Sequence, residues 1–331
     1  MNLLDERVHE RILAKKRQLD SHRPLSKEVV SRLQEKMEIE YTYNSNAIEG
    51  NTLTQRETQM VIRQGLTVGG KSLSEHLEAR NHPKAIEYIE NLATQGHAEK
   101  ILKEADIQKI HELIFSGVLE NAGNYRNCQV YIEGCDEMPP PAFEVHRLMK
   151  ELVAWLNTNP EELRPIELAS VFHHKLVSIH PFEDGNGRVC RLVANVILIS
   201  HGYPLTTIRT VDRKKYYSSL QEADKGNLKP FVNFIARCLE QSLDIYLSAV
   251  EPSTKGNQFL SLAQASKLSP YSAQYLGLLA RRGLIGATKM GRNWFITPNA
   301  LMEYVRAHRK RKRTEDSDTS QATQRNCNAV R

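Results

Sequence analysis

The sequence predicts a mainly α-helical protein with a small β-hairpin and a separate C-terminal domain. Apolar residues recur at helical spacing in the central part of the chain, most clearly over residues 165–178 and in a second run that begins near Asn186. Residues 129–134, followed by three prolines at 139–141, are typical of a strand, a turn and an extended return. A turn-rich linker over residues 251–257 then separates a C-terminal module from the rest.

These patterns divide the chain into four regions. Its 331 residues leave room for two or three domains. We expect an N-terminal helical region over residues 1–100, a helical core over 101–250, a small domain over 257–306 and a basic, polar tail over 307–331. Residues 255–331 hold 14 of the 45 Lys and Arg residues but only four of the 39 Asp and Glu residues. The net charge of +6 therefore belongs to the C-terminal quarter and not to the core.

The most informative segment runs from His180 to Arg191, in a tight loop and the first turn of the helix that follows it. Gly185 and Gly187 let the backbone bend and allow a ligand to approach it closely. The first helical turn presents unpaired N–H groups and the positive end of the helix dipole, which together form a site for an anion. Arg188 and Arg191 stand three residues apart on one helix face, and two guanidinium groups can clamp a polyphosphate.

Two further side chains of this segment are suited to phosphate chemistry. His180, with an ordinary pKa of about 6.5, can accept a proton near neutral pH. Asp184 supplies a hard oxygen ligand, and Mg²⁺ on a phosphate substrate takes only one or two protein carboxylates. Taken singly, a Gly-Asn-Gly turn, two helical arginines or one histidine would each have an ordinary structural interpretation. Their occurrence together in one loop and one helical turn favours phosphoryl or nucleotidyl transfer.

The whole stretch resembles the signature of the Fic family, His-x-Phe-x-Asp/Glu-Gly-Asn-Gly-Arg-x-x-Arg, and matches every fixed position. Similar sequence extends from Ile101 to Leu247. The resemblance implies a mainly α-helical, Fic-type core with a small β-hairpin flap. It also implies the usual activity of that family, AMPylation, in which AMP moves from ATP to a Ser, Thr or Tyr hydroxyl of a protein and diphosphate leaves.

The resemblance also implies roles for single residues. His180 would deprotonate the target hydroxyl, and Asp184 would hold Mg²⁺ across the α- and β-phosphates. Arg188 would bind the β-phosphate and Arg191 the γ-phosphate. The backbone amides of the Gly-Asn-Gly turn, with the Asn186 side chain, would form the anion hole. The residues expected to bind ATP and its phosphates are Glu183, Gly185, Asn186, Gly187, Arg188, Arg191, Tyr216 and Tyr217.

A second motif lies upstream, at Ser45, Glu49 and Gly50. Ser45 and Glu49 are four residues apart and share a helix face, and Gly50 is placed to end that helix. Alone, Glu49 would be an ordinary surface carboxylate at a helix end. In a chain that also carries the signature, however, the segment resembles the inhibitory motif Ser/Thr-x-x-x-Glu-Gly/Asn of the family. Because the motif precedes the core, the chain resembles the class with an N-terminal inhibitory helix, here over about residues 37–50. Glu49 would then pair with Arg191 in place of the γ-phosphate and misorient ATP.

Two weaker patterns complete the predicted site. The strand at Val130, Tyr131 and Ile132 is either an ordinary hairpin over the core or, by the resemblance, the flap that aligns the target segment by strand-like pairing. Tyr216 and Tyr217 are either core residues of a helix or, as in similar proteins, the lining of the adenosine pocket.

Other features bear on partners and location. The five cysteines are an odd number without Cys-x-x-Cys spacing, which argues against a disulfide framework and suits the cytoplasm. No segment has the apolar length that crosses a membrane, and residues 1–7 do not resemble a signal peptide. His173 and His174 point about 100° apart on a helix, so we expect structural roles for them rather than a shared metal ion. A homodimer is compatible with the sequence.

The C-terminal module resembles a winged helix-turn-helix. We expect a short helix over residues 259–265 and a second helix that is capped by Ser269 and ends at Arg281. Residues 284–289 and 294–297 would form a hairpin. Such a module can place a helix in the major groove of DNA, or it can serve for packing and protein contacts.

Two functions from different classes are therefore open. The first is a nucleotidyltransferase that uses ATP, Mg²⁺ and a protein substrate, which could be the chain itself, and whose site could also remove AMP. The second is a DNA-binding regulator whose core acts as a sensor. The intact signature favours the enzyme, because a decayed site would not keep the imidazole, the carboxylate, Asn186 and both arginines. A donor other than ATP is disfavoured, because Gly187 keeps the form associated with AMP donors.

Overall fold

The structure, a computed structural model, describes residues 3–94, 101–131, 138–250, 259–290, 293–298, 300–302, 304 and 305. The chain divides into two units, residues 1–250 and residues 251–331. The predicted linker at 251–257 and the predicted tail at 307–331 lie outside the described residues.

The described part of the larger unit is mainly α-helical, which confirms the prediction. None of the helices described in either unit combines the length and the hydropathy needed to cross a membrane. The helices of the larger unit are α1 (Glu6–Asp20), α2 (Lys27–Ile48), α3 (Gln55–Gln64), α4 (Leu73–Thr94), α5 (Glu104–Phe115), α6 (Val145–Thr158), α7 (Pro165–Ile179), α8 (Asn186–Ser200), α9 (Arg213–Asp224) and α10 (Lys229–Val250).

Helices α7 and α8 form an antiparallel pair at the centre of the larger unit. α4 and α5 pack on α8, while α10 packs on α7 and on α1. Every side chain of α8 from Val189 to Leu198 is buried. A helix that is enclosed on all sides belongs to the core. The second half of the signature therefore lies in the interior of the unit, on α8. Its first half forms the loop between α7 and α8.

Helix α2 brings the upstream motif to this core. It is longer than the predicted helix over residues 37–50, because Ser26 caps it and its hydroxyl accepts the Val29 N–H at 3.4 Å. It ends at Ile48, and Gly50 then has a φ of 101°, a left-handed position that favours glycine. The last turn of α2 therefore packs against α8 with Glu49 as its capping residue.

The predicted flap hairpin is not formed by the described residues of its segment. Residues 129–131 and 138–141 take part in no strand pairing, and Ile132 lies outside the described residues. Instead, the Gln129 side chain donates a hydrogen bond to the Pro139 carbonyl at 3.1 Å. Each of the consecutive prolines lacks an N–H group, so residues 139–141 cannot donate to a hydrogen-bonded ladder.

The described part of the smaller unit is a small antiparallel sheet with two short helices before the hairpin and further helical residues at 298, 300–302, 304 and 305. The strand order is β1–β3–β2, and Thr288 lies opposite Phe295, which confirms the predicted hairpin between the last two strands. Its elements are β1 (Leu260–Ser261), α11 (Leu262–Lys267), α12 (Ala273–Arg281), β2 (Ala287–Met290) and β3 (Asn293–Ile296).

Helices α11 and α12 both begin later than the sequence predicts. α11 starts after Ser261, whose hydroxyl accepts the Gln264 N–H at 3.2 Å. α12 starts after Ser272, whose hydroxyl accepts the Tyr275 N–H at 3.2 Å. The expected cap, Ser269, instead closes the preceding turn. The winged helix-turn-helix assignment stays a prediction.

Candidate active site

Two left-handed backbone positions shape the loop between α7 and α8. His180 ends α7 with φ 51° and ψ 59°, and Gly185 precedes α8 with φ 80°. A Cβ atom on Gly185 would overlap the ring of Phe115 on α5. Glycine is therefore required there both by the backbone and by the available space.

Asn186 locks this loop. Its side-chain oxygen accepts the Phe182 N–H at 2.9 Å, and its amide group donates to the Phe182 carbonyl at 2.8 Å. The side chain is buried and fully engaged with the loop. The structure thus gives this side chain a role in fixing the loop, and its place in the anion hole stays a prediction. The backbone amides of the first turn of α8 remain for an anion.

His180 has the hydrogen bonding of a general base. Its Nδ1 lies 3.2 Å from the carbonyl oxygen of Val177. A carbonyl only accepts, so Nδ1 carries the proton and Nε2 keeps its lone pair. Burial lowers the pKa of the imidazole below its ordinary value of 6.5, although the Val177 carbonyl and Asp184 act in the opposite direction. His180 is thus neutral and can accept a proton at neutral pH.

Arg126 holds this base in place, a role that sequence reasoning missed. Its buried guanidinium donates to the carbonyl oxygens of His180 at 2.7 Å, Cys128 at 2.9 Å and Pro140 at 2.5 Å. These bonds tie the end of α7 to both sides of the segment expected to form the flap. The arginine stands four residues before the predicted strand, but its partners are backbone groups, which no sequence pattern displays.

His111 on α5 supports the other end of the loop and was also not found from the sequence. Its Nδ1 accepts the Gly123 N–H at 2.8 Å, so its Nε2 carries the proton and donates to the Asp184 carbonyl at 3.1 Å. Its ring stacks on Phe182 with the centroids 3.9 Å apart. Burial lowers the pKa of His111 to about 4, which keeps the ring neutral at physiological pH.

Asp184 is the side chain that fits a magnesium ion. Its carboxylate is 63% exposed beside the N-terminus of α8, and Oδ1 accepts the Gly185 N–H at 2.5 Å. Mg²⁺ keeps several waters and takes other ligands from phosphates, so one exposed carboxylate at a phosphate site suits it. In the part of the chain that the structure describes, no group of three or more His, Cys, Asp or Glu side chains forms a closed metal site.

The last turn of α2 closes over the second signature arginine. The Arg191 side chain is only 2% exposed. Its Nη1 donates to Glu49 Oε1 at 2.7 Å, its Nε to the Ser45 hydroxyl at 3.1 Å and its Nη2 to the Ser45 carbonyl at 2.8 Å. The structure therefore brings together the three side chains that the upstream motif and the signature were expected to pair.

The Glu49 carboxylate also lies over the expected anion site. A Cβ atom on Gly187 would overlap Glu49 Oε1, so this oxygen occupies the space above the first turn of α8. Burial alone would raise the pKa of Glu49, but Arg191, with Arg188 and Arg213, outweighs burial and holds the pKa below its ordinary value of 4.5. Glu49 is thus negatively charged at neutral pH and fills a place built for an anion.

The first signature arginine has a carboxylate partner of its own. Arg188 Nη1 lies 2.7 Å from Oε1 of Glu78 on α4, and the guanidinium lies over the ring of Phe115, 4.4 Å from its centroid. Sequence reasoning did not find Glu78, because the two residues are far apart in the chain and meet only when α4 packs on α8.

The two tyrosines on α9 have different environments. Tyr216 is buried with its hydroxyl 3.1 Å from Nε2 of His173, so it belongs to the core and does not line an open pocket. The Tyr217 hydroxyl lies 3.5 Å from Glu49 Oε2, and the guanidinium of Arg213 lies over its ring. Consecutive helical residues point about 100° apart, so Tyr217 reaches Glu49 while the buried ring of Tyr216 lies under the Arg191 guanidinium, 5.9 Å from it.

The remaining predicted residues lie at the rim of the site. Glu183 is exposed, and its carboxylate lies 3.8 Å from the sulfur of Cys128. A carboxylate cannot donate to a phosphate, so any contact from Glu183 would come from its backbone. Val130 and Tyr131 form no strand, and Tyr131 is 78% exposed. Ile132, the third residue of the predicted flap, lies outside the described residues.

Comparisons with known proteins agree with this geometry. The model of the Fic/DOC family matches residues 101–198. Among curated proteins, Protein adenylyltransferase Fic from Nematostella vectensis is 41% identical over 213 residues, which are 63% of this chain and 49% of that protein. The chain thus spans about half the length of the curated relatives it matches.

Solved structures show the same fold. A Fic domain containing signaling protein from Bacteroides thetaiotaomicron VPI-5482 is 31% identical with a TM-score of 0.67, over 72% of this chain and 97% of that one. A fragment of Fic-1 from C. elegans is 32% identical with a TM-score of 0.65, over 73% of this chain and 72% of that one.

Proposed function

The chain belongs to the Fic/DOC family, and we propose that it is a protein adenylyltransferase, which moves AMP from ATP to a Ser, Thr or Tyr hydroxyl of a protein. The observation that carries the proposal is one loop in which a neutral imidazole with a free Nε2 precedes a helix N-terminus and two buried arginines. The curated relatives named protein adenylyltransferase support it. The substrates would be ATP and a protein, which includes other copies of this chain.

In this proposal His180 is the general base. Its Nε2 accepts the proton of the target hydroxyl while the hydroxyl oxygen attacks the α-phosphorus in line. The bond between the α-phosphorus and the oxygen that bridges to the β-phosphate breaks, and diphosphate leaves. Val177 and Arg126 fix the ring and the backbone of His180, so the base is positioned before the substrate arrives.

The phosphate charge would be balanced by donors on α8. The N–H groups of its first turn would receive the α- and β-phosphates, and Arg188 and Arg191 would contact the β- and γ-phosphates. Asp184 would hold Mg²⁺, which neutralises charge on the phosphates when bound. Tyr217, at the edge of the site, is placed to contact the adenosine.

The same geometry supports autoinhibition by α2. Glu49 neutralises Arg191 and occupies the space above the helix N-terminus, so the γ-phosphate would be displaced and the α-phosphate misaligned with His180. The Arg191–Glu49 pair is short and mostly shielded from water, with side-chain exposures of 2% and 26%. ATP must therefore compete with a strong contact, and a signal that withdraws α2 would activate transfer.

Transfer of labelled phosphate tests the proposal. The Glu49→Gly chain is incubated with Mg²⁺ and with ATP labelled at either the α- or the γ-phosphate. We expect the α label to become bound to protein and the γ label to remain in solution, because diphosphate carries it away. His180→Ala in the same chain should abolish incorporation while ATP still binds. Incorporation of the γ label would indicate a kinase instead, and release of bound α label by the unsubstituted chain would establish AMP removal.

A DNA-binding role of the smaller unit is a second candidate. On α12 the side chain of Tyr275 is exposed, and the exposed Arg281 and Arg282 follow at its end, as contact with a groove and its phosphates requires. Retardation of a labelled duplex that weakens steeply with added salt would support this role. If no duplex is bound at low salt, the DNA-binding role is wrong, and contacts with other proteins would be the remaining role of the smaller unit. The predicted homodimer and cytoplasmic location stay predictions.

A further inference from the structure

Arg188, the arginine expected to meet the β-phosphate, is already held from one side. Its Nη1 pairs with Oε1 of Glu78, which is 13% exposed, while Arg188 itself is 4% exposed. The other oxygen of Glu78 accepts a hydrogen bond from the Asn51 side chain at 3.0 Å. Glu78 belongs to α4, which packs directly on α8. The carboxylate is therefore fixed at both oxygens and carried by a core helix.

The other two nitrogens of Arg188 are held less tightly by the protein than Nη1 is. Nη2 lies 3.4 Å from both oxygens of Asp184, the expected magnesium ligand. Nε is buried and has no hydrogen-bond partner among the residues that the structure describes. The ring of Phe115 limits the tilt of the guanidinium plane. Buried donors without a partner are rare in folded proteins, so these groups indicate a place for an acceptor that arrives with a ligand.

Arg191 differs from Arg188 in this respect. All three of its nitrogens donate to Ser45 or Glu49 of the inhibitory segment, so a ligand can reach them only after α2 moves. Glu78 engages one edge of Arg188, whereas the other edge has only long contacts of 3.4 Å to Asp184 and an Nε without a partner among the described residues. The two carboxylates therefore act differently: Glu49 competes with a ligand, whereas Glu78 orients the group that binds it.

We propose that Glu78 is a positioning residue of the transfer reaction and holds Arg188 towards the β-phosphate of ATP. The inference rests on the proposed function. As diphosphate leaves, negative charge grows on the β-phosphate, and a correctly placed guanidinium stabilises that charge more in the transition state than in bound ATP. Without the carboxylate, the long arginine side chain would sample other orientations. Removing the carboxylate would then lower kcat and leave the KM for ATP nearly unchanged.

Steady-state kinetics of Glu78→Gln test this inference. The substitution is made in the Glu49→Gly chain, in which α2 no longer competes, and kcat and the KM for ATP are measured well below the unfolding temperature of each variant. We expect kcat to fall by at least about tenfold and KM to change by less than about threefold. Glu87→Gln, at an exposed position of the same helix, is the matched control and should change neither value.

A double-mutant cycle shows whether Glu78 acts through Arg188. In a Glu49→Gly chain that also carries Arg188→Lys, we expect Glu78→Gln to have no further effect on kcat. An equal loss in both backgrounds, an unchanged kcat or a loss confined to KM would overturn the inference. A rise in kcat would also overturn it, because Glu78 would then compete with phosphate as Glu49 does.

The same experiment separates this inference from the proposed function. A Glu49→Gly parent that transfers no AMP would contradict the proposed function. An active parent with an unaffected Glu78→Gln variant would contradict this inference alone.

Discussion

At the scale of single residues, the proposed chemistry depends on the protonation of His180. Only the unprotonated Nε2 can accept a proton, so the rate falls as the pH falls through the pKa of the imidazole and is constant above it. Burial lowers that pKa below 6.5, and Glu49, whose charge raises it, is absent from the Glu49→Gly chain.

We therefore predict that the acid limb of kcat/KM for the Glu49→Gly chain has its midpoint below pH 6.5. Initial rates of AMP transfer between about pH 5 and 8 measure this midpoint, with His180→Ala as the blank. A midpoint above pH 6.5 would mean that burial does not control the titration of this base.

Arg126 is a second single residue with a testable role, because its hydrogen bonds stabilise the fold around the site. Its guanidinium bridges carbonyl groups at the end of α7 and on both sides of the expected flap, and a lysine ammonium cannot reach them together. Hydrogen bonds from charged groups contribute about 1.5–3 kcal/mol each. We predict that Arg126→Lys lowers the free energy of unfolding by about 2–4 kcal/mol in denaturant titrations. Arg147→Lys, at an arginine that is 56% exposed, should change it little, and equal losses for the two variants would contradict the assigned role.

At the scale of secondary-structure elements, inhibition resides in the last turn of α2. Glu49 supplies the charge, while Ser45 supplies a hydroxyl and a carbonyl to the same arginine. Ser45→Ala removes only the hydroxyl contact, worth about 1.5–3 kcal/mol because its donor is charged. We predict that Ser45→Ala raises the rate of AMP transfer, but less than Glu49→Gly does. A rate below that of the unsubstituted chain would show that Ser45 has another task.

The elements with a strong local pattern could be predicted. α7 and α8 follow from apolar periodicity, and the end of α2 follows from Gly50. The start of α12 could not be predicted, because Ser269 and Ser272 are both suitable caps and tertiary packing decides between them. The flap stays a prediction, because residues 132–137 lie outside the described residues.

At the scale of the whole molecule, the site depends on contacts between distant parts of the larger unit. The loop itself could be predicted, since its residues are consecutive. Glu78 and Arg126 could not, because their partners come from other helices or from the backbone. Tyr216 could not be separated from Tyr217, since only packing decides which of two neighbouring rings enters the core. Sequence patterns thus identify the chemistry, and tertiary packing determines what supports it.

The central claim is that one carboxylate blocks a complete nucleotide-transfer site. The measurement that tests it most directly is the initial rate of AMP transfer by the Glu49→Gly chain relative to the unsubstituted chain, at equal ATP and Mg²⁺ and with ATP binding to both chains verified. We expect the rate to rise by at least about tenfold, which corresponds to about 1.4 kcal/mol of relieved competition at Arg191. Equal rates from two chains that both bind ATP would contradict it.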